Sequence, residues 1–172
     1  MALIVEDGTI VTGAESYISV ADADAYFLAR GNAAWAALTP AATKEAALRK
    51  ATDYMTGRYG LRWKGERVSE LQALDWPRLW CERRNVINGA FPLYWDDTTV
   101  PVAVQRACAE LAVRASAGEL VPDVGAQVKS ETVGPISVVY ADGARQSDSY
   151  RAIDAMLAPF LRGGGQVAVV RA

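Results

Sequence analysis

The sequence predicts a mainly α fold, a helical bundle of about four main helices with peripheral β-hairpins and an extended C-terminal arm. Three observations carry this. Apolar residues recur at helical spacing in four separate segments, as on the buried face of an amphipathic helix. Alanine is frequent within those segments, which favours helix and close packing. The β-forming runs are short and lie at the edges of the pattern, around Asp7-Gly8, at 128–140 and at 166–170.

In chain order, residues 2–5 and 9–12 flank Glu6-Asp7-Gly8, and apolar β-formers around Asp-Gly predict a small hairpin. Ser19 reads as a helix N-cap with Asp22 three residues on, and the spacing predicts a helix over 20–30. Ala33 to Leu38 suggests one more helical turn before Thr39-Pro40. The second helix is expected from about Ala41 or Thr43 to Tyr59, with Ala47, Leu48, Ala51, Met55 and Tyr59 on one stripe. The third spans 101–117, opened by Pro101 and closed by Gly118; its apolar stripe is Val104, Cys108, Leu111 and Ala115. Glu110 before Arg114 is the favourable order for an i,i+4 pair. Val128 to Val133 and Ile136 to Tyr140 read as two strands. The fourth helix is expected over 148–161, kinked or shortened by Pro159.

The domain reading is one helical unit over 1–162 and a glycine-hinged arm over 163–172. Within the unit, 60–99 is an ordered aromatic loop, in which 69–74 could form a short helix. A stretch this long is more than a connection. The apolar tail holding Val167, Val169 and Val170 needs a sheet edge in its own subunit or a neighbour, or else frays.

Composition narrows the function classes. A chain of 172 residues, 51% hydrophobic, can bury one sizeable core. A net charge of −2 argues against a protein built mainly to hold nucleic acid. The absence of histidine removes the commonest general base and metal ligand, and with it any Ser-His-Asp triad. Cys81 and Cys108 lack the ligand number of a zinc site. They could pair, but Cys108 sits on an apolar face where a small buried thiol is the simpler reading. Arg83 and Arg84 could activate Cys81. Asp96-Asp97 could meet a cation but reads better as capping. No cofactor, metal or catalytic constellation is expected. Residues 1–5 are cut off by charge too early for a signal peptide, and no run is long enough to span a membrane.

The informative stretch is 58–80. Arg58, Arg62, Lys64 and Arg67 lie together, interleaved with Tyr59 and Trp63, and Trp76, Arg78 and Trp80 follow. Such a mixture suits single-strand binding by phosphate contacts and base stacking. It equally suits a protein–protein hot spot.

The run from Tyr17 to Phe27, with Gly31-Asn32 and Trp35, resembles the start of a family of small tailed-phage and prophage proteins. Arg62-Trp63-Lys64-Gly65, Gln72 to Arg78, Val100-Pro101 and Ser130 to Ile136 extend the likeness over about 17–140. Members are often labelled DnaT-like single-stranded-DNA-binding proteins and are similar in layout to head–tail adaptors. The adaptor likeness implies a structural, non-enzymatic ring, commonly of twelve copies, on the portal protein. Such a ring extends the channel for double-stranded DNA and offers a surface to the tail or to a stopper. The location implied is the virion neck, after assembly in the bacterial cytoplasm. On that reading Trp63, Lys64, Trp76, Arg78, Trp80, Val167, Val169 and Val170 are candidate subunit or portal contacts. The DnaT-like label implies instead that Arg58, Arg62, Lys64 and Arg67 contact DNA.

Overall fold

The computed structural model describes residues 2–83, 93–123, 130–133, 136–139 and 149–163, the two strands at 130–139 by their backbone alone. The α-helices are α1 (Val20–Leu28), α2 (Ala33–Ala36), α3 (Ala41–Tyr59), α4 (Val102–Ala117) and α5 (Arg151–Leu157). Two 3-10 turns, Gly60–Arg62 and Ala158–Phe160, extend α3 and α5. Strands β1 (Glu66–Arg67) and β2 (Arg78–Leu79) form an antiparallel ribbon, and β3 (Ser130–Val133) and β4 (Ile136–Val139) a peripheral antiparallel hairpin. This is the mainly helical architecture with a peripheral hairpin that the patterning predicts.

The core forms where α3 packs on α4. Ala47, Leu48, Ala51, Thr52, Met55 and Tyr59 face inward from α3, and Val104, Ala107, Cys108, Leu111, Ala112 and Ala115 from α4. The alanines leave room for close approach, and the longer side chains fill the space that remains. Cys108 sits in this seam, its Sγ 3.4 Å from Thr52 Oγ1 and 3.8 Å from Ser16 Oγ. Both cysteines are free buried thiols, so the disulfide alternative falls.

α1 begins as predicted. Ser19 Oγ accepts from the Asp22 N–H at 3.0 Å and donates to Asp22 Oδ2 at 2.6 Å, a reciprocal cap. Asn32 caps α2, whose Trp35 is buried 5.1 Å from Phe27 and donates its indole N–H to Asp24. Arg114 pairs with Glu110 at 3.0 Å on α4.

Three local expectations are overturned. The Asp-Gly hairpin is absent: the buried Glu6 carboxylate accepts from the backbone N–H groups of Gly8, Ile10 and Val11 and coils the segment around itself. Gly8 is at φ +109°, and a Cβ there would lie 2.0 Å from the Thr98 carbonyl oxygen, so the loop is latched under residues 98–99. Residues 69–74 form no helix. The Gln72 amide bonds the carbonyls of Leu74 and Pro77, and Arg67 bonds those of Gln72 and Leu74. Side chains thereby take up backbone groups that a helix would have paired. The fourth helix is shorter than expected: α5 begins at Arg151, after a Tyr150 whose side chain makes no capping bond, and Pro159 falls in the 3-10 turn.

The loop after α3 is built from aromatic rings. Tyr59 meets Trp63 at 5.9 Å, Trp63 meets Trp76 at 5.7 Å, Trp76 meets Phe160 at 5.6 Å, and Phe160 meets Trp95 at 5.3 Å. This chain of rings binds the end of α3, the ribbon and the end of α5 into one unit. Among the described residues no helix is long and apolar enough to cross a membrane.

Candidate nucleic-acid interface

The site is assembled where the chain leaves α3. Residues 62–64 run antiparallel to 160–162. Lys64 N–H donates to the Phe160 carbonyl at 2.9 Å, and Arg162 N–H donates to the Arg62 carbonyl at 2.7 Å. The bridging pair is Trp63 opposite Leu161, and both side chains are buried. Arg62, the last residue of the 3-10 turn, and Arg162 are both exposed, and the Arg62 guanidinium lies 5.9 Å from the centre of the Tyr59 ring.

Arg78 fixes this segment from beneath. It is only 6% exposed, and its guanidinium donates to the carbonyls of Lys64 (2.7 Å), Gly65 (2.8 Å) and Asp75 (3.0 Å). Burial pushes its pKa below the ordinary arginine value, with the neighbouring Asp75 opposing that shift. Gly65, at φ +67°, lies so close to β2 that a Cβ would fall 2.0 Å from the Leu79 carbonyl oxygen. The contact sets the Trp80 backbone against Gly65.

Trp80, just past the ribbon, is not held by the core. Its ring is 60% exposed, although its backbone sits at φ +55°. That conformation is unfavourable for a bulky side chain. Strain of this kind persists where the surrounding structure imposes it, and it concentrates at functional positions. Beyond Trp80 the chain pairs Glu82 with Tyr94, a second exposed aromatic. Cys81 and Trp95 are joined by the Trp95 N–H bond to the Cys81 carbonyl.

The predicted residues thus separate. Trp63 and Trp76 are 1% and 0% exposed and present no surface to a portal or a neighbouring subunit; Arg78 is likewise structural. They are core because the chain of rings needs them, which corrects their assignment as contact residues. Lys64 is half-buried, its ammonium at the Pro159 carbonyl, 2.5 Å away. Arg58, Arg62 and Arg67 are exposed, and Trp80 remains available. Val167, Val169 and Val170 lie outside the described residues. Sequence reasoning missed Arg162, because the pairing that brings it to Arg62 joins segments almost a hundred residues apart.

Two other side chains carry local observations. Burial pushes the Cys81 thiol pKa up, against the opposing charges of Lys64 and Arg78; Arg84 lies outside the described residues. Asp96 accepts from the Thr98 N–H and hydroxyl, a local cap. Among the described residues no group of acidic or thiol side chains is placed to hold a metal ion. A groove of about 610 Å³ between α1 and α2 is lined by Phe27, Leu28 and Trp35, but its charged groups, Asp24 and Lys44, pair with each other at 2.8 Å.

Asp75 beneath the site is raised in pKa, chiefly by burial, while Trp63, Arg78 and Arg67 oppose the shift. An acid whose folded pKa is raised adds stability that is complete below its unfolded value, near 3.8, and is lost as pH rises through the folded value. Asp75→Asn keeps an oxygen to accept from the Trp63 indole N–H, 3.3 Å away. This variant is expected to gain stability relative to the parent as pH rises from acid to neutral. Urea unfolding across that range checks it; a difference independent of pH contradicts it.

A family model described as "Putative DnaT-like ssDNA binding protein" matches residues 1–172. No curated protein and no solved structure matches the chain.

Proposed function

The chain belongs to the DnaT-like family, matched along its whole length, and on that footing we propose that it binds single-stranded DNA at the surface formed by Arg62, Lys64, Arg67, Arg162 and Trp80. The observation that carries the reading is Trp80, an exposed indole held at an unfavourable backbone angle, its backbone packed against Gly65 of the cation-rich stretch 62–67. A flat π-face accepts any base, and arginines nearby track the backbone; together they hold a strand without reading its sequence. A net charge of −2 does not oppose this, because the cations are concentrated locally. Glu66 and Glu82, both exposed beside them, keep the field modest. Such a site should bind reversibly and lose affinity as salt rises.

The test is a titration of oligo(dT) at low and physiological salt. Trp80→Ala is expected to weaken binding roughly tenfold, the scale of one stacked base, without loss of stability. Replacing Arg62 and Lys64 together with alanine is expected to flatten the salt dependence by about 0.7 in log–log slope for each phosphate no longer neutralised. Unchanged affinity in both variants contradicts the reading.

A different observation favours a second reading. Leu61, Leu71 and Leu28 are 99%, 88% and 84% exposed, and Val102 and Val121 are more than half exposed. Large apolar side chains left in water suit burial between subunits. This is what a head–tail adaptor ring on a phage portal would need, with duplex DNA passing through and a tail or stopper protein beyond. Closed rings use two different patches on each subunit. Native mass with and without portal protein decides it: ring-sized species or portal capture support the adaptor, whereas a monomer that ignores the portal removes it.

A further inference from the structure

We infer that Arg62 and Arg162 form a seat for a phosphoryl oxyanion, with Arg78 behind it. The bridge Trp63–Leu161 places the two arginines directly opposite one another, at a position where paired Cα atoms are about 5.5 Å apart. Like charges directly opposite in an antiparallel pair destabilise it. Neither arginine has a carboxylate partner among the described residues. The nearest acidic neighbour in sequence, Glu66, faces Leu79 across the other ribbon. Arg162 Nη2 donates to the Gly65 carbonyl at 3.3 Å, the same oxygen that accepts from buried Arg78 Nη2 at 2.8 Å. A surface arginine and a buried one therefore converge on one carbonyl, while the Arg62 guanidinium rests 5.9 Å from the centre of the Tyr59 ring. The positive charge of Arg162 adds to the cost of keeping Arg78 ionised.

The fold thus sets Arg162 in repulsion with buried Arg78 and brings the Arg62 backbone opposite Arg162, and no acidic side chain among the described residues neutralises these arginines by a direct ion pair. An anion between Arg62 and Arg162 would relieve that repulsion, and guanidiniums bind phosphoryl oxygens in a two-pronged geometry that a lysine cannot match. For its natural occupant, a backbone phosphate, the seat rests on the strand-binding reading. A free phosphate offers the same chemistry.

The experiment is thermal unfolding of the full chain in inorganic phosphate and in sodium chloride at equal ionic strength. The parent, Arg162→Gln, Arg62→Gln and a distant control, Arg151→Gln, are compared, and each is also titrated with oligo(dT). A ligand bound only by the folded state raises the transition temperature in a saturable way. Phosphate is expected to raise it in the parent and the control. Either seat variant should weaken the phosphate affinity roughly tenfold or more and unfold no lower than the parent in chloride. Equal responses to phosphate and chloride, or an undiminished phosphate response in both seat variants, overturn the seat. Phosphate stabilisation without oligonucleotide binding keeps the seat and defeats strand binding. Oligonucleotide binding indifferent to both substitutions keeps strand binding and defeats the seat.

Discussion

Replacing Arg78 with alanine is expected to cost on the order of 3–5 kcal/mol of folding stability. The guanidinium is buried and donates to three carbonyls, those of Lys64, Gly65 and Asp75. A hydrogen bond from a charged donor contributes more than a neutral one, and a buried acceptor left without a partner loses its hydration as well. The three losses share one site and will not add fully. Arg78→Lys should fall between alanine and the parent, because one ammonium on a flexible stem cannot reproduce the planar fork. The consequence for function is specific. Arg78 secures the backbone of Lys64 and Gly65, so even a folded alanine variant should lose the close seating of Gly65 against the Trp80 backbone and bind single strands more weakly. Urea unfolding measures the stability change; a loss under about 1 kcal/mol would show that water replaces the guanidinium at those carbonyls.

The second large effect belongs to Glu6. Its side chain is 1% exposed and accepts three backbone N–H bonds, from Gly8 and Ile10 at Oε1 and from Val11 at Oε2. Glu6→Ala leaves those donors without their acceptor and is expected to cost about 3 kcal/mol. Glu6→Gln separates the contributions. An amide has only one acceptor oxygen, so its NH2 must face an N–H on one side. The better orientation keeps Gly8 and Ile10 bonded and sacrifices Val11, and its cost should be smaller, about 1–2 kcal/mol. Hydrogen exchange provides the local readout. In the alanine variant the amides of Gly8, Ile10 and Val11 should all lose protection, and in the glutamine variant chiefly that of Val11. Retained protection at all three in the alanine variant contradicts the account.

These two residues also mark where the sequence stops being legible. The long helices are written locally. The stripe from Ala47 to Tyr59 and the stripe from Val104 to Ala115 are each complete within one segment, as is the Ser19 cap. Glu6-Asp7-Gly8 carries an equally local hairpin signal, yet one buried carboxylate collecting three N–H groups overrides it. The same happens at 69–74, where Gln72 and Arg67 occupy carbonyls that local propensity assigns to a helix.

The candidate site is only half legible for a related reason. Trp63, Trp76 and Trp80 look alike in sequence, each in a stretch rich in arginine and lysine. Which of them is core depends on Phe160 and Trp95 arriving from distant segments. Arg162 is invisible until Leu161 pairs with Trp63. The basic cluster itself is a sequence feature, and Arg62 and Lys64 remain in the proposed interface. Arg58 is exposed at the end of α3, and Arg67 divides its guanidinium between loop carbonyls and the surface.

The proposed single-strand interface is tested most directly by photo-crosslinking the parent protein to an oligonucleotide carrying bromodeoxyuridine and mapping the adduct by mass spectrometry. Stacking on the exposed indole predicts an adduct at Trp80, suppressed by excess unlabelled oligo(dT) and by rising salt. An adduct confined to the α1–α2 face, or none at protein concentrations that saturate binding of other single-strand-binding proteins, would contradict it.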